Sequence, residues 1–212
     1  MNEERKLEAY ILDHIDSEDP LLKELDRETH LTVPGARMLS GHLQGQFLSM
    51  LSHIMKPERI LEIGTFTGYS AICLAKGLSE NGKLITIEVD DELEHIATKY
   101  FRKANLEDKI EQVIAPALKV LPSIEGPFDI IFMDADKREY PAYYKLVIDK
   151  LRKGGLMIAD NTLWSGKVIE SVVKGDEQTL GIKSFNDLVM SDPGVQKVIL
   201  PLRDGMTIIR KI

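Results

Sequence analysis

One apolar run of the chain leads into Leu61-Glu62-Ile63-Gly64-Thr65-Phe66-Thr67-Gly68-Tyr69-Ser70. Glycines where a strand hands over to a helix let the backbone approach a ligand closely, and the new helix offers free N–H groups. The spacing Glu-x-Gly-x-x-x-Gly lacks the middle glycine that admits a pyrophosphate, which disfavours a nicotinamide dehydrogenase. Glu62 would repel phosphate and suits an ammonium group, held directly or through water. A plain strand-to-helix turn would need the same glycines for geometry alone. Glu88 closes the next apolar run, Leu84–Val89. About 20 residues past such a turn, a carboxylate can accept both ribose hydroxyls of a nucleoside. An acid at a strand end is ordinary by itself. Paired with the glycine turn, it points to an adenosine-containing cofactor without a pyrophosphate.

Two more segments, Phe132-Met133-Asp134-Ala135-Asp136-Lys137 and Ile158-Ala159-Asp160-Asn161, place oxygens at predicted strand ends. Open α/β sheets bind their ligands at that edge. Asp134, Asp160 and Asn161 make an oxygen-only set, which selects Mg²⁺, Ca²⁺ or Mn²⁺ over zinc. It leaves coordination positions for water and substrate oxygens. A lone Asp there is commonly a helix N-cap, but three oxygens at two strand ends are harder to explain that way. The five histidines (His14, His30, His42, His53, His95) show no His-x-x-x-His pattern and no Cys partner, so a zinc site is discarded. Cys73 reads as buried packing. Trp164 either borders the site at these strand ends or packs the loop between Asn161 and Val168. A lysine at a helix start, such as Lys137, is ordinarily solvated.

The elements that must position these groups follow from periodicity. Through residue 55 or so, Leu7, Tyr10, Ile11, and later Leu39, Leu43, Phe47, Met50, Leu51 and Ile54 recur at helical spacing, broken by Pro34-Gly35. From Arg59 onward short apolar runs (Ile60–Ile63, Leu84–Val89, Gln112–Ile114, Ile130–Met133, Leu156–Ala159) alternate with amphipathic stretches. That alternation predicts an α/β, doubly wound, mostly parallel sheet. Val195–Pro201 and Met206–Ile209 flank Leu202-Arg203-Asp204-Gly205, a hairpin signal, so the sheet should end in an antiparallel pair. We read residues 1–212 as one domain, with 1–56 a helical extension and 57–212 the core.

The chain has 212 residues and a net charge of −7, which argues against coating nucleic acid or membrane through bulk charge. The imbalance sits in residues 1–30, with four Lys/Arg against ten acids; between Lys137 and Lys174 bases outnumber acids 8 to 4. One cysteine, no apolar leader and no run of membrane-spanning length predict a cytoplasmic protein without a membrane partner.

As a set these motifs resemble the cation-dependent S-adenosylmethionine O-methyltransferases, the group of caffeoyl-CoA O-methyltransferase, with catechol O-methyltransferase more distant. The resemblance covers most of the chain. It takes in Val33-Pro34-Gly35-Ala36-Arg37-Met38, Gln44-Gly45-Gln46-Phe47-Leu48, the glycine turn, Met133-Asp134-Ala135-Asp136-Lys137 and Ala159-Asp160-Asn161-Thr162-Leu163-Trp164-Ser165-Gly166, ending near Gly205-Met206-Thr207-Ile208. It implies a Rossmann-like methyltransferase sheet, S-adenosylmethionine as cofactor, and a divalent cation, magnesium first. By position, Glu62, Gly64, Thr65, Gly68 and Ser70 would surround the methionine end, with Asp134 adjoining the cofactor. Glu88 would bind the ribose, Ala115, Pro116 and Ala117 would line the adenine, and Met38 would cover the site. Asp134, Asp160 and Asn161 match the metal ligands, and Lys137 matches the proposed general base. Many relatives have glycine for Ala115, and many plant relatives differ at Arg203. The implied acceptor is a small catechol-like hydroxyl compound. The alternatives are a 5-hydroxyuridine in transfer RNA, as for some bacterial relatives, or a non-catalytic cofactor-binding module. The resemblance also implies a homodimer.

Overall fold

The computed structural model describes residues 3–212. Seven strands form one sheet: β1 (Arg59–Ile63), β2 (Lys83–Glu88), β3 (Ile110–Ile114), β4 (Phe128–Met133), β5 (Leu151–Asp160), β6 (Val195–Leu200) and β7 (Met206–Lys211). Their order across the sheet is β3-β2-β1-β4-β5-β7-β6. Every pair from β3 to β5 is parallel, and β7 runs antiparallel to both β5 and β6. The expected doubly wound sheet with an antiparallel end is present. The Pro201–Gly205 turn that joins its last two strands carries Arg203 and Gly205 at positive φ.

The helices are α1 (Glu3–Asp13), α2 (Pro20–Thr32), α3 (Gly41–Met55), α4 (Tyr69–Ala75), α5 (Glu94–Lys103), α6 (Ala117–Val120), α7 (Tyr140–Val147) and α8 (Glu177–Ser191). Side chains alternate across the central strands, and both faces are covered. Ile60, Ile130, Phe132 and Ile158 pack with α2, α3, α4 and α5 on one side. Leu61, Ile63, Ile131 and Met133 pack with Tyr140, Tyr144 and Phe185 of α7 and α8 on the other. Among the described residues no helix is long and apolar enough to cross a membrane.

Register sets the working edge. Ile63 is paired with Met133, and Met133 with Ala159. The next residues, Gly64, Asp134 and Asp160, therefore stand side by side where the parallel strands end.

One expectation needs correction. β5 starts at Leu151 rather than near Leu156; it passes through Gly154 at φ 76, and its pairing with β4 shifts between Phe128 and Ile130. The helical arm forms as expected, with its apolar positions divided between core and surface. Leu39 is buried and Phe47 and Leu51 pack against the core, while Leu7, Tyr10, Met50 and Ile54 are exposed, and α3 also buries Gln44, Gly45, Leu48 and Ser52. The cause is close packing on α4: a Cβ at Gly45 would lie 2.6 Å from the Tyr69 ring and 2.8 Å from Cys73 Sγ. Small and hydrogen-bonded residues let the helices approach where larger apolar ones would not. Ser52 Oγ, for example, donates to the Leu74 carbonyl at 2.6 Å.

The strap joining α1 and α2 is tied to the same helices. Tyr69 donates to Glu18 Oε1 at 2.6 Å, and Lys76 Nζ to Asp19 Oδ2 at 2.7 Å. A cavity of about 500 Å³ lies beneath the strap, but its lining includes none of Asp134, Asp160 and Asn161.

Candidate active site

Gly64 leaves β1 at φ 103, and a Cβ there would lie 2.0 Å from the Asp134 carbonyl oxygen. Gly68, at φ 91, is the N-cap of α4 and lies against Phe101, which a Cβ would meet at 2.7 Å. Only glycine suits both positions. Between them Phe66 also takes positive φ, and its N–H donates to Glu88 Oε2 at 2.7 Å.

Glu62 is completely buried. Its Oε2 accepts from Thr86 Oγ1 at 2.5 Å, and that hydroxyl is in turn 2.5 Å from Thr65 Oγ1. Among the described residues Oε1 has no hydrogen-bond partner. Burial pushes the Glu62 carboxyl up to about 8; Thr86 and nearby Ser70 oppose this, and the charges of Asp134 and Glu88 add to it. A buried carboxyl with one open oxygen fits a cationic ligand group. Glu88 lies at the end of β2, held by Phe66 N–H on one oxygen and by Val89 and Asp90 N–H on the other, at 2.8 and 3.0 Å. Those bonds take three of roughly four acceptor sites, so the carboxylate keeps a fixed face. Ala115 N–H donates to the Glu88 carbonyl at 2.7 Å, which puts the Ala115-Pro116-Ala117 segment beside it. Met38 is 58% exposed on the short turn before α3.

The oxygen set gathers next to Gly64. Asp134 Oδ1 accepts from Lys137 Nζ at 2.6 Å, and Nζ also donates to the Tyr140 hydroxyl at 2.8 Å. Lys137 is only 7% exposed, so it is not the solvated lysine that its helix-start position suggests. Asp136, not Asp134, caps the following turn, accepting from Arg138 N–H at 3.0 Å. Asp160 Oδ1 accepts from Asn161 N–H at 2.7 Å, and Oδ2 accepts from Gln44 Nε2 at 2.8 Å. Burial and then the Asp134 charge raise the Asp160 carboxyl to about 6, against the Gln44 and Asn161 bonds and the charge of Lys137. Asn161 turns out of β5 at φ 57. Among the described residues no three His, Cys, Asp or Glu side chains converge, and Asn161 follows Asp160 directly as the third residue of the expected oxygen set. Asp134 and the buried Asp160 stand at adjacent strand ends with Lys137 paired to Asp134, and a divalent ion would suit that excess of negative charge.

Tyr140 is a functional candidate that sequence reasoning missed. Its hydroxyl lies 3.1 Å from the carbonyls of both Met133 and Asp160, pinning β4 to β5 beneath Lys137. The signal was available, since Lys137 and Tyr140 are three residues apart at a helix start and share a face. Gln44, also missed, has no such local cue. Trp164 packs against the apolar layer that includes Phe185, and Cys73 is a buried thiol pushed up to about 12 by desolvation. The basic excess between Lys137 and Lys174 does not form one face. Lys137, Arg138, Arg152 and Lys167 pair with Asp134, Asp136, Asp129 and Asp176, and Lys150 donates to the carbonyls of Leu121 and Ile124. At about 3.3 Å per residue, the length of β5 separates Arg152 from Asp160 by up to about 26 Å.

The sheet order, the glycine turn at β1 and the oxygens at the edges of β4 and β5 define a Rossmann-like methyltransferase. Residues 13–212 match the O-methyltransferase family. A probable caffeoyl-CoA O-methyltransferase 2 of Dictyostelium discoideum is 33% identical, over 96% of this chain and 90% of that protein. An O-methyltransferase from Bacillus cereus, solved in complex with SAH, has a TM-score of 0.90 at 32% identity, covering 98% of this chain and 97% of its own. The O-methyltransferase TomG of Streptomyces achromogenes, solved in complex with SAM, has a TM-score of 0.92 at 27% identity, covering 100% and 99%. The chain belongs to this O-methyltransferase family, as an enzyme and not a non-catalytic module.

Proposed function

We propose that this enzyme moves the methyl group of S-adenosylmethionine to one hydroxyl of a small catechol-like acceptor, with a divalent cation, magnesium first, at Asp134, Asp160 and Asn161. The observation that carries this reading is the pair of carboxylates at adjacent strand ends, Asp134 and Asp160, with Lys137 on Asp134. When bound, such a cation would supply positive charge that eases ionisation of an acceptor hydroxyl. The methyl donor is a sulfonium and the acceptor an oxygen, so the protein mainly supplies positioning. Glu62 holds the ammonium of the cofactor at Oε1, and Glu88 holds its ribose. Gly64, Thr65, Gly68 and Ser70 surround the methionine end, Ala115 to Ala117 line the adenine, and Met38 covers the site. Lys137 Nζ, in the neutral amine form that the charge of a bound cation would favour, takes the proton of the attacking hydroxyl, and Tyr140 keeps that nitrogen in place.

Purified protein with methyl-labelled S-adenosylmethionine, Mg²⁺, and either simple catechols or undermodified transfer RNA tests the proposal. Label should enter the catechol, stop with EDTA and return with excess Mg²⁺. Chelator-resistant transfer removes the cation, label in the RNA alone replaces the acceptor, and label in neither removes the acceptor class. Lys137→Ala is expected to lower kcat about a hundredfold or more at neutral pH, the usual worth of a general base. Full turnover in that variant would remove the base assignment.

A further inference from the structure

We propose that Gln44 is a positioning residue for the Asp160 carboxylate, and that Arg203 sets which end of its amide faces Asp160. The proposal rests on the reading of Asp160 as a cation ligand and extends it to a residue outside that set. Gln44 has no exposed surface on α3, and both ends of its side chain are engaged. Nε2 donates to Asp160 Oδ2 at 2.8 Å, and Oε1 accepts from Arg203 Nη1 at 3.1 Å. The two ends of an amide are nearly the same shape, so partners decide its direction. A guanidinium only donates and an ionised carboxylate only accepts. The flipped amide would put its oxygen against Asp160 and its NH₂ against Arg203, losing both bonds at once.

Arg203 is itself anchored. From the hairpin turn, at φ 51, its Nη1 shares its two hydrogens among Gln44 Oε1, the Leu39 carbonyl at 2.9 Å and the Ser40 carbonyl. The relay therefore joins the chain entering α3, the hairpin turn and the end of β5. With Asn161 N–H on Oδ1 and Gln44 on Oδ2, the plane of the carboxylate is held from both oxygens. Two of its roughly four acceptor sites stay open for a ligand. Partners that orient a ligating carboxylate typically change metal affinity ten- to a hundredfold.

The test is a Mn²⁺ titration followed by electron paramagnetic resonance of the free ion, on the whole protein saturated with SAH. The wild type should bind one Mn²⁺, and Asp160→Asn should abolish that binding. Gln44→Leu should weaken it about ten- to a hundredfold while SAH affinity stays unchanged. Arg203→Met should weaken it by a smaller factor in the wild type, and bring no further loss in the Gln44→Leu background. If Gln44→Leu binds Mn²⁺ like the wild type, the positioning role is overturned and the cation site stands. Loss of Mn²⁺ and SAH affinity together marks a general structural effect and also overturns it. A wild type that binds no Mn²⁺, or binding indifferent to Asp160→Asn, overturns both readings. Should Gln44→Leu fail to fold, Arg203→Met alone decides, and unchanged Mn²⁺ affinity there overturns the relay.

Discussion

Gly64→Ala should destabilise the protein by about 4 kcal/mol, and with it lower the melting temperature by about 10 °C. Two effects add at this residue. Its φ of 103 lies where a side chain is strained, a cost of about 1–3 kcal/mol. The new Cβ would also sit 2.0 Å from the Asp134 oxygen, 2.7 Å from the Asp134 carbonyl carbon and 3.3 Å from Ala135 N. All three are backbone atoms, so no rotamer change relieves the contact and β1 must part from β4, a further cost of about 1–3 kcal/mol. The residue is pinned from its other neighbour too, since Gly64 N–H donates to the Ile87 carbonyl at 2.9 Å.

A control separates strain from crowding. Gly166 has φ 78 but open space around its Cβ position, so Gly166→Ala should show the strain alone. Urea midpoints that coincide for the two variants would show that the close approach of β1 and β4 contributes nothing. If the difference holds, Gly64→Ala should also lose SAH affinity, because moving Asp134 disturbs its bond to Lys137 and the turn that carries Thr65.

The parts of this arrangement that are legible in the sequence lie at strand ends. The run Ile130–Met133 has no polar break because β4 is covered on both faces, so its end, and with it Asp134, is marked sharply. Glu88 likewise closes β2, although Thr86 interrupts that run, and Glu62 lies one residue inside the end of β1. β5 was harder to see because Arg152-Lys153-Gly154-Gly155 interrupts its apolar run, and β4 pairs with it only on either side of that stretch, at Leu151 and from Leu156. In the arm, apolar spacing finds the helices but not which small and polar residues they bury: α3 buries Gly45 and Ser52 against α4, and Gln44 against Asp160.

Within the site, local rules found charge at strand ends and missed what holds it. Gln44, Asp160 and Arg203 come from three distant segments, and no spacing rule links a glutamine on a helix to an aspartate on a strand. Lys137 shows the same limit: position says solvated, while Asp134 and Tyr140 keep it buried. Asp134 is set apart from Asp136 by its place directly after the apolar run, and the geometry agrees, since Asp136 caps the following turn.

Glu62→Gln should act in opposite directions on stability and on cofactor binding. In the cofactor-free protein the Glu62 carboxyl is raised from 4.5 to about 8, mainly by burial. Below pH 4.5 the folded and unfolded chains both carry the proton and the group is neutral to stability. Between there and pH 8 the unfolded chain releases a proton that the folded one keeps, so stability falls by about 1.4 kcal/mol per pH unit. At pH 8 the loss reaches roughly 3–5 kcal/mol. Glutamine does not titrate, but its buried NH₂ would lack a partner, at a cost of about 1–3 kcal/mol. The variant should therefore be less stable than the wild type at pH 5 and about 2 kcal/mol more stable at pH 8, read from urea midpoints. Cofactor binding moves the other way. An ammonium at Oε1 needs the ionised carboxylate, so wild-type SAH affinity should rise about tenfold per unit from pH 6 to 8, with release of one proton. Calorimetry in buffers of different ionisation heat measures that proton directly. Glu62→Gln should bind SAH more weakly, with no pH slope from this group and no proton released. A flat wild-type affinity profile, or proton uptake on binding, would remove Glu62 as the ammonium partner while leaving its burial and its effect on stability intact.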